Sequence, residues 1–212
     1  MAFPFLPLWL IYIFAVAILG GGTVILLKTR KTRGQKLAVL GMKDAGKTRF
    51  YRFLQGKEYI EGFDNETEQD EIESFTYNCS NGSKIKIQKG YDYGGGRDYV
   101  KAHYEDLLKD SDIVVFVFDL HKFLIDIEYQ KETNSIASLI NEMNYKKCNI
   151  VKIASHKDEF DLSKQKIKSI FTDFKNAIKG KKYWDAMLDY NFFFADMRNN
   201  DDLKTIADII FK

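Results

Sequence analysis

The residues with the clearest chemical potential form the segment GMKDAGKT, which runs from Gly41 to Thr48. It fits the pattern G-x-x-x-x-G-K-[ST] and lies between an apolar segment and an amphipathic one. Glycines let such a loop wrap so that backbone N–H groups and the following helix N-terminus face phosphates. The lysine bridges the outer phosphates, and the adjacent hydroxyl is supplied to Mg²⁺. The segment therefore predicts a nucleotide-phosphate loop formed by Gly41, Lys43, Asp44, Ala45, Gly46, Lys47 and Thr48.

A second motif, D-x-x-G, occurs at Asp92-Tyr93-Gly94-Gly95 after a predicted strand. In this motif the aspartate holds the magnesium shell, and the glycine N–H reaches the γ-phosphate. The pattern is weak alone, and Gly94-Gly95-Gly96 also suits a flexible turn. Its position one hairpin after the phosphate loop favours the functional interpretation. The predicted catalytic residues are therefore Lys47 of the phosphate loop and Gly95 of this second motif.

GMKDAGKT and DYGGG together resemble the Arf/Sar branch of the Ras-like small GTPase superfamily, whose patterns are close to GLDxAGKT and DVGGQ. The resemblance implies a P-loop domain that binds GTP or GDP with Mg²⁺ and hydrolyses GTP. It also implies two switch segments that dock an effector or complex-partner protein. In element order the resemblance spans residues 36–212, but only these two motifs are specific.

The resemblance also places the base-binding end of the site. The segment IVKIASHKD aligns with the family's strand and N-K-x-D loop, which puts Ser155 and His156 beside the base. Asp158 then takes the place of the carboxylate that accepts two hydrogen bonds from guanine. A second register gives this role to Glu159, and a solvated charged loop is the non-functional alternative. Ala195 matches the alanine of S-A-K, whose backbone N–H contacts the guanine oxygen.

Switch I is expected within Gly56–Asp70, where Thr67 follows Lys47 by twenty residues. Thr67 would join Thr48 and Asp92 as a magnesium ligand, although an ordinary exposed threonine in an acidic loop fits the sequence equally well.

The residue after the D-x-x-G glycine is Gly96, where Ras-like enzymes place the glutamine that orients the attacking water. We therefore expect slow intrinsic hydrolysis, restored by a partner, by Arg97 or by His103. One alternative is a scaffold subunit of a membrane complex that holds GTP without turnover. An ATP-using P-loop enzyme such as a kinase is a third possibility, but no lid or second substrate motif accompanies it.

The elements that must position these residues alternate short apolar runs with amphipathic segments, which is typical of a mostly parallel sheet with crossover helices. We predict an α/β, doubly wound, mostly parallel six-stranded sheet, a P-loop NTPase G domain, preceded by one transmembrane helix. An Asn81-Gly82 turn joins the second and third strands as a hairpin. The predicted strands are Lys36–Leu40, Ile72–Tyr77, Lys84–Lys89, Ile113–Phe118, Ile150–Ala154 and Asn191–Ala195, and the predicted helices are Lys47–Leu54, Ile127–Met143, Leu162–Ile178 and Asp201–Phe211.

The N-terminus carries no Asp, Glu, Lys or Arg through Leu27, and a basic cluster at 28–33 comes directly after it. About 20 apolar residues suffice to span a bilayer, and the positive-inside rule puts the basic cluster and the rest of the chain in the cytoplasm. We predict a transmembrane anchor at 1–27, a basic juxtamembrane linker at 28–35 near membrane lipids and a G domain at 36–212. This single-pass architecture resembles the beta subunit of the signal-recognition-particle receptor. A signal peptide ending near Ala17 and a tail buried on the domain are the alternatives.

Charge and cysteine content exclude other classes. Removing the four basic residues of 1–33 from the total of 32 leaves 28 basic against 30 acidic side chains. Such a balance gives no nucleic-acid footprint. Two cysteines are too few for a disulfide framework and suit a reducing compartment.

Overall fold

The computed structural model describes residues 34–58, 69–94, 97–142, 149–160, 162, 167–185, 188 and 191–211. Its centre is a four-stranded parallel sheet formed, in spatial order, by β1 (Leu37–Gly41), β6 (Ile113–Asp119), β7 (Asn149–Ser155) and β8 (Phe192–Phe194). The middle strand β6 has the sequence IVVFVFD and is buried throughout, as expected of a parallel strand covered on both faces.

A β-hairpin lies beside β1 and forms two short antiparallel ladders. Ile72 pairs with Gly90 and Phe75 with Ile87, so the register continues unshifted across the break between the ladders. A parallel bridge between Gln35 and Ile87 joins the hairpin to the start of β1. The hairpin strands are β2 (Gln69–Ile72), β3 (Phe75–Asn78), β4 (Lys84–Ile87) and β5 (Gly90–Tyr93).

The prediction of one six-stranded sheet is therefore corrected in detail. The predicted strand Ile72–Tyr77 spans the break between β2 and β3, and the predicted strand Lys84–Lys89 covers β4 alone, so β5 lies beyond it. Ladder pairing lapses at 73–74 and 88–89. Around this break the Gln88 amide donates to the Gln35 carbonyl at 2.9 Å, towards β1. The order and direction of the parallel strands agree with an α/β P-loop fold.

Helices connect these strands. The predicted helices overlap α1, α4, α5 and α7, whereas the short helices α3 and α6 are not among the predicted elements. Asp119 begins α3, because its side chain accepts a hydrogen bond from the Lys122 amide, as an N-cap does. The helices are α1 (Lys47–Leu54), α2 (Arg97–Asp110), α3 (Leu120–Ile125), α4 (Ile127–Glu142), α5 (Ile167–Ala177), α6 (Lys182–Asp185) and α7 (Asn200–Ile210).

An aromatic cluster fixes α3, α5 and α6 against β6. Phe118 meets Phe123 and Trp184 at ring-centroid distances of 5.7 and 5.6 Å, both edge to face. Phe174 meets Trp184 at 5.3 Å. Such pairs contribute about 0.5–1.5 kcal/mol each beyond their buried area. The cluster packs around the carboxyl end of β6, where Asp119 ends the strand and α3 begins.

No helix among the described residues is both long enough and apolar enough to cross a membrane. The predicted location, a single-pass membrane protein with a cytoplasmic G domain, is contradicted by this finding. The predicted anchor at 1–27 and most of the linker lie outside the described residues.

Candidate functional site

The phosphate loop joins the end of β1 to the start of α1. Gly41 ends the strand with φ 150°, and a Cβ there would lie 1.9 Å from the Val117 carbonyl oxygen. Gly46 begins α1 with φ 99°, and a Cβ there would lie 2.9 Å from Cγ of Met197. A side chain fits at neither position, so both glycines of the motif are required by backbone shape and by close approach.

Between these glycines, Asp44 adopts the left-handed conformation at φ 60° and Ala45 is fully buried. The Ala45 amide approaches the Met42 carbonyl at 3.4 Å, which closes the loop into a turn, and Lys43 lies on the exposed side. The loop therefore has the tight wrapped shape that the motif predicts.

Tyr104 of α2 makes hydrogen bonds with the start of the phosphate loop. Its hydroxyl donates to the Gly41 carbonyl at 3.1 Å and accepts from the Gly41 amide at 3.2 Å. Burial raises the pKa of Tyr104 to about 12, so the hydroxyl stays protonated and keeps its donor. The sequence groups Tyr104 with the tyrosines around the D-x-x-G motif, as candidate interface residues, but it does not indicate this contact, because only the fold brings α2 to the loop.

Replacing Tyr104 with Phe should lower the free energy of unfolding by about 1–3 kcal/mol, because buried polar groups of Gly41 would lose their partner. Denaturant unfolding measures the change. Tyr91→Phe is the matched control, since Tyr91 is an exposed tyrosine. Equal effects of the two substitutions would contradict this role.

Lys47 is a buried cation inside the loop. Its side chain is directed to the Met42 carbonyl, with the ammonium donating at 2.7 Å, and the residue is 7% exposed. Burial lowers the pKa of Lys47 to about 8, while the carboxylates of Asp92 and Asp44 oppose that shift. The ammonium is thus poorly compensated by its surroundings, which favours an anionic ligand beside it.

This pKa predicts that nucleotide affinity is sensitive to alkaline pH. Below pH 8 Lys47 is charged and ready for phosphate, whereas above pH 8 binding must first take up a proton. Affinity should fall by about fivefold between pH 8 and 9, because the charged fraction of Lys47 falls by that factor. Titrations with GDP test this, and Lys47→Arg should flatten the profile because arginine stays charged. The same slope in the arginine variant would show that another group is responsible.

The predicted magnesium ligands Thr48 and Asp92 lie together beside Lys47. The Thr48 hydroxyl donates to Oδ2 of Asp92 at 2.5 Å. Asp92 is 1% exposed, and its Oδ1 atom is buried without a hydrogen-bond partner. Burial raises the pKa of Asp92, an effect opposed by the Thr48 hydrogen bond and the Lys47 charge and increased by Asp70.

An orphaned carboxylate oxygen next to a hydroxyl fits a hard cation such as Mg²⁺, which prefers oxygen ligands. The residues present therefore suit the ion that the motif implies. The third predicted ligand, Thr67, lies outside the described residues, as does Gly95 of the D-x-x-G motif.

The second half of the site lies at the carboxyl end of β7. Ser155 is fully buried and donates to the Phe118 carbonyl at 3.1 Å. His156 turns the chain with φ 60°, and a 3₁₀ turn at Lys157–Glu159 follows. Asp158 lies in that turn, and its Oδ2 atom is 2.6 Å from a guanidinium nitrogen of Arg198.

Arg198 was missed by sequence analysis, because nothing in the sequence links it to Asp158. It is held in turn by Asp196, whose Oδ1 accepts from the Arg198 amide at 2.9 Å. A carboxylate offers about four lone-pair sites, so one guanidinium bond leaves acceptor capacity on Asp158.

The Ala195 amide donates to the Ala154 carbonyl at 3.0 Å, in the pairing of β7 with β8. A hydrogen bond from this amide to guanine would compete with that bond, so the predicted role of Ala195 requires a local shift of the backbone.

The tyrosines around the D-x-x-G motif differ in exposure. Tyr91 is exposed, whereas Tyr93 is buried and stacks on His103 with ring centroids 5.2 Å apart. His103 is thus packed on an aromatic ring, and its predicted part in hydrolysis stays untested.

A parallel sheet with the GMKDAGKT loop between β1 and α1 defines a P-loop nucleotide-binding protein. The model of the ADP-ribosylation factor family (Arf) matches residues 23–186, well over half of the chain, and the chain therefore belongs to this family. Its members are small GTPases that bind GTP or GDP, typically with Mg²⁺, and generally hydrolyse GTP. Comparison with individual curated proteins gives no match.

The match confirms the predicted Arf branch of the Ras-like superfamily. It does not support the architectural resemblance to the signal-recognition-particle receptor beta subunit. The predicted boundaries at 27, 35 and 212 stay predictions. The described fold continues beyond the matched residues through β8 and α7.

Proposed function

We propose that the chain is a guanine-nucleotide switch that hydrolyses GTP slowly by itself and docks a partner protein through its two switch segments. The observation that carries this proposal is the meeting of Lys47, Thr48 and buried Asp92 at the end of the phosphate loop. They bring together a cation for phosphates and oxygen ligands for a metal. The partner's identity is left to experiment.

In this proposal the loop amides and Lys47 bind the phosphates, and Gly95 donates its amide to the γ-phosphate. Thr48 and Asp92 would hold Mg²⁺, which when bound neutralises charge on the phosphate oxygens. Thr67 and Gly95 would lie in the segments that change between the GTP and GDP states. Closure of these segments would form the partner's docking surface.

Guanine selectivity is assigned to Asp158. Support comes from its position directly after β7, in a turn whose entry is fixed by buried Ser155 and left-handed His156. The Arg198 guanidinium orients the carboxylate without using all of its acceptor sites. An adenine base has no pair of donors that this carboxylate can accept.

Replacing Asp158 with Asn should weaken GTP binding by about 10–100-fold, because a hydrogen bond with a charged group contributes about 1.5–3 kcal/mol. The same change should improve binding of xanthosine triphosphate, whose 2-oxo group accepts a hydrogen bond from the amide. Competition titrations against a fluorescent GDP analogue measure both effects.

Glu159→Gln tests the second register, in which Glu159 and not Asp158 accepts the hydrogen bonds from guanine. Loss of selectivity in that variant, with Asp158→Asn behaving as wild type, would move the role to Glu159.

A GTP-binding scaffold without turnover is the second candidate, and Gly96 at the position of the catalytic glutamine favours it. Single-turnover hydrolysis with and without cell extract separates the two functions. Hydrolysis that extract accelerates supports a switch, whereas GTP that stays intact in both conditions supports a scaffold.

A further inference from the structure

Two of the three histidines of this chain converge on a pair of carboxylates at the carboxyl ends of β6 and β7. This group, called here the Asp119 cluster, consists of Asp119, His121, His156 and Glu159. Ligand atoms of Asp119, His156 and Glu159 all lie within 4.8 Å of one another. The phosphate loop and the Thr48–Asp92 pair form a different part of the site.

Asp119 is the buried member of the cluster. Its Oδ1 accepts from the Lys122 amide at 2.9 Å, but its Oδ2 is buried with no hydrogen-bond partner. That oxygen faces Nδ1 of His156 at 3.4 Å and Nζ of Lys122 at 4.0 Å. Leaving a carboxylate oxygen buried without a bonding partner is costly, so the position is favourable for a cation.

The separation of the first two donor atoms suits one ion. Zinc binds nitrogen at about 2.0–2.1 Å and carboxylate oxygen at about 2.0–2.2 Å, so two ligands at the tetrahedral angle lie about 3.3–3.5 Å apart. The 3.4 Å between Asp119 Oδ2 and His156 Nδ1 falls in this range. A third ligand requires movement of the Glu159 side chain, which is 39% exposed and can rotate without moving the backbone.

His121 supports that third ligand. Its Nδ1 atom lies 2.9 Å from Oε2 of Glu159, as an outer-shell partner that orients a metal-binding carboxylate does. A cavity of about 450 Å³, lined in part by His121 and Glu159, lies on this outer side of the cluster.

We propose that Asp119, His156 and Glu159 form a binding site for a divalent transition metal of the zinc class, with His121 as the outer-shell partner of Glu159. An imidazole with two carboxylates favours such an ion over Mg²⁺, which prefers oxygen ligands alone. The ion would tie the end of β6 to the 3₁₀ turn that carries Asp158.

Binding has a defined proton balance. The single Ser155 hydroxyl hydrogen is donated to Phe118, so the 2.9 Å contact between Ser155 Oγ and His156 Nδ1 uses the imidazole N–H as donor. A metal on Nδ1 would take the place of that proton, and the neutral ring would carry its one N–H on Nε2 instead, so the step releases no net proton and Ser155 keeps its bond to Phe118.

The test is titration of the full-length chain with Zn²⁺ by calorimetry, in excess Mg²⁺ so that the phosphate-loop site is filled. Co²⁺ absorption gives a second readout that responds to ligand type and geometry. We expect one Zn²⁺ per chain, with affinity reduced at least about tenfold by His156→Ala and by Glu159→Gln. His121→Ala should cost about 10–100-fold, as outer-shell changes do.

His103→Ala is the matched control, since His103 is the histidine outside the cluster, and it should bind Zn²⁺ as wild type does. Asp119 is buried, and replacing it could unfold the chain, so the test uses the half-exposed ligand Glu159 instead. The proposal is overturned if no saturable Zn²⁺ binding occurs, or if binding survives both His156→Ala and Glu159→Gln. The readout is Zn²⁺ bound per chain and not nucleotide affinity, so failure of zinc binding leaves the separate competition test of guanine selectivity in force.

Discussion

Lys47→Ala should reduce GTP and GDP affinity by at least about 10²-fold, since Lys47 supplies charged hydrogen bonds to the phosphates at about 1.5–3 kcal/mol each. The ammonium already lies inside the loop, with Nζ 2.7 Å from the Met42 carbonyl. The other lysine of the loop, Lys43, is on its exposed side and cannot replace this charge. Fluorescence titration with a labelled GDP measures the loss.

The loss should be specific to binding. Burial already disfavours the ammonium, as the lowered pKa of Lys47 shows, so removing it should leave cooperative unfolding intact. Lys57→Ala is the matched control, because Lys57 is an exposed lysine just after the same helix. Retention of near-normal nucleotide affinity by Lys47→Ala would contradict the assignment of the phosphate loop.

Gly96→Gln should raise the intrinsic rate of GTP hydrolysis by about tenfold or more, which corresponds to about 1.4 kcal/mol of the barrier. The physical reason is that glutamine orients the attacking water in Ras-like enzymes, and glycine has no side chain to do so. Nucleotide affinity should change little, because Lys47, Thr48 and Asp92 are untouched. Single-turnover hydrolysis at one Mg²⁺ concentration measures the rate.

Gly96→Ala is the control for this experiment, since it restricts the backbone similarly without adding an amide. A partner's arginine could add a factor of about 10³–10⁵, so a slow isolated chain is compatible with a working switch. Fast wild-type hydrolysis that is unaffected at Gly96 and lost on changing Arg97 or His103 would refute the slow-hydrolysis account.

Local sequence patterns predicted the parts of the fold that are set locally. The apolar run IVVFVF predicted the buried strand β6, and GMKDAGKT predicted a loop between a strand and a helix, both of which the structure has. Thr48 and Asp92 lie together, joined by a hydrogen bond, and their shared role as metal ligands stays a prediction.

Features that depend on distant parts of the chain were not predictable in this way. Tyr104 of helix α2 contacts Gly41 at the end of strand β1, and Arg198, in the loop after β8, pairs with Asp158. Such contacts arise only when sheet and helices assemble, and neither residue carries a motif. The predicted membrane location is contradicted, since no described helix could cross a membrane. It rested on the hydropathy of 1–27 and on the basic cluster at 28–33, and both are patterns of sequence alone.

The Asp119 cluster is predictable from the sequence in part: the positions of its residues are, and their side-chain contacts are not. Carboxyl ends of neighbouring parallel strands meet at one edge of a sheet, so the sequence places Asp119 near His156 once β6 and β7 are recognised. Burial of the Oδ2 atom and the contact between His121 and Glu159 appear only in the structure. Position along a strand is thus readable from sequence, whereas side-chain partners across the fold are not.

The central claim, that this chain selects guanine nucleotides, is tested most directly by competition. The full-length chain with bound fluorescent GDP is titrated with GTP, GDP and ATP in Mg²⁺. We predict displacement by GTP and GDP at concentrations at least about 10²-fold below those needed for ATP, as expected when a charged acceptor pairs with the base. Equal displacement by ATP and GTP would contradict the guanine assignment.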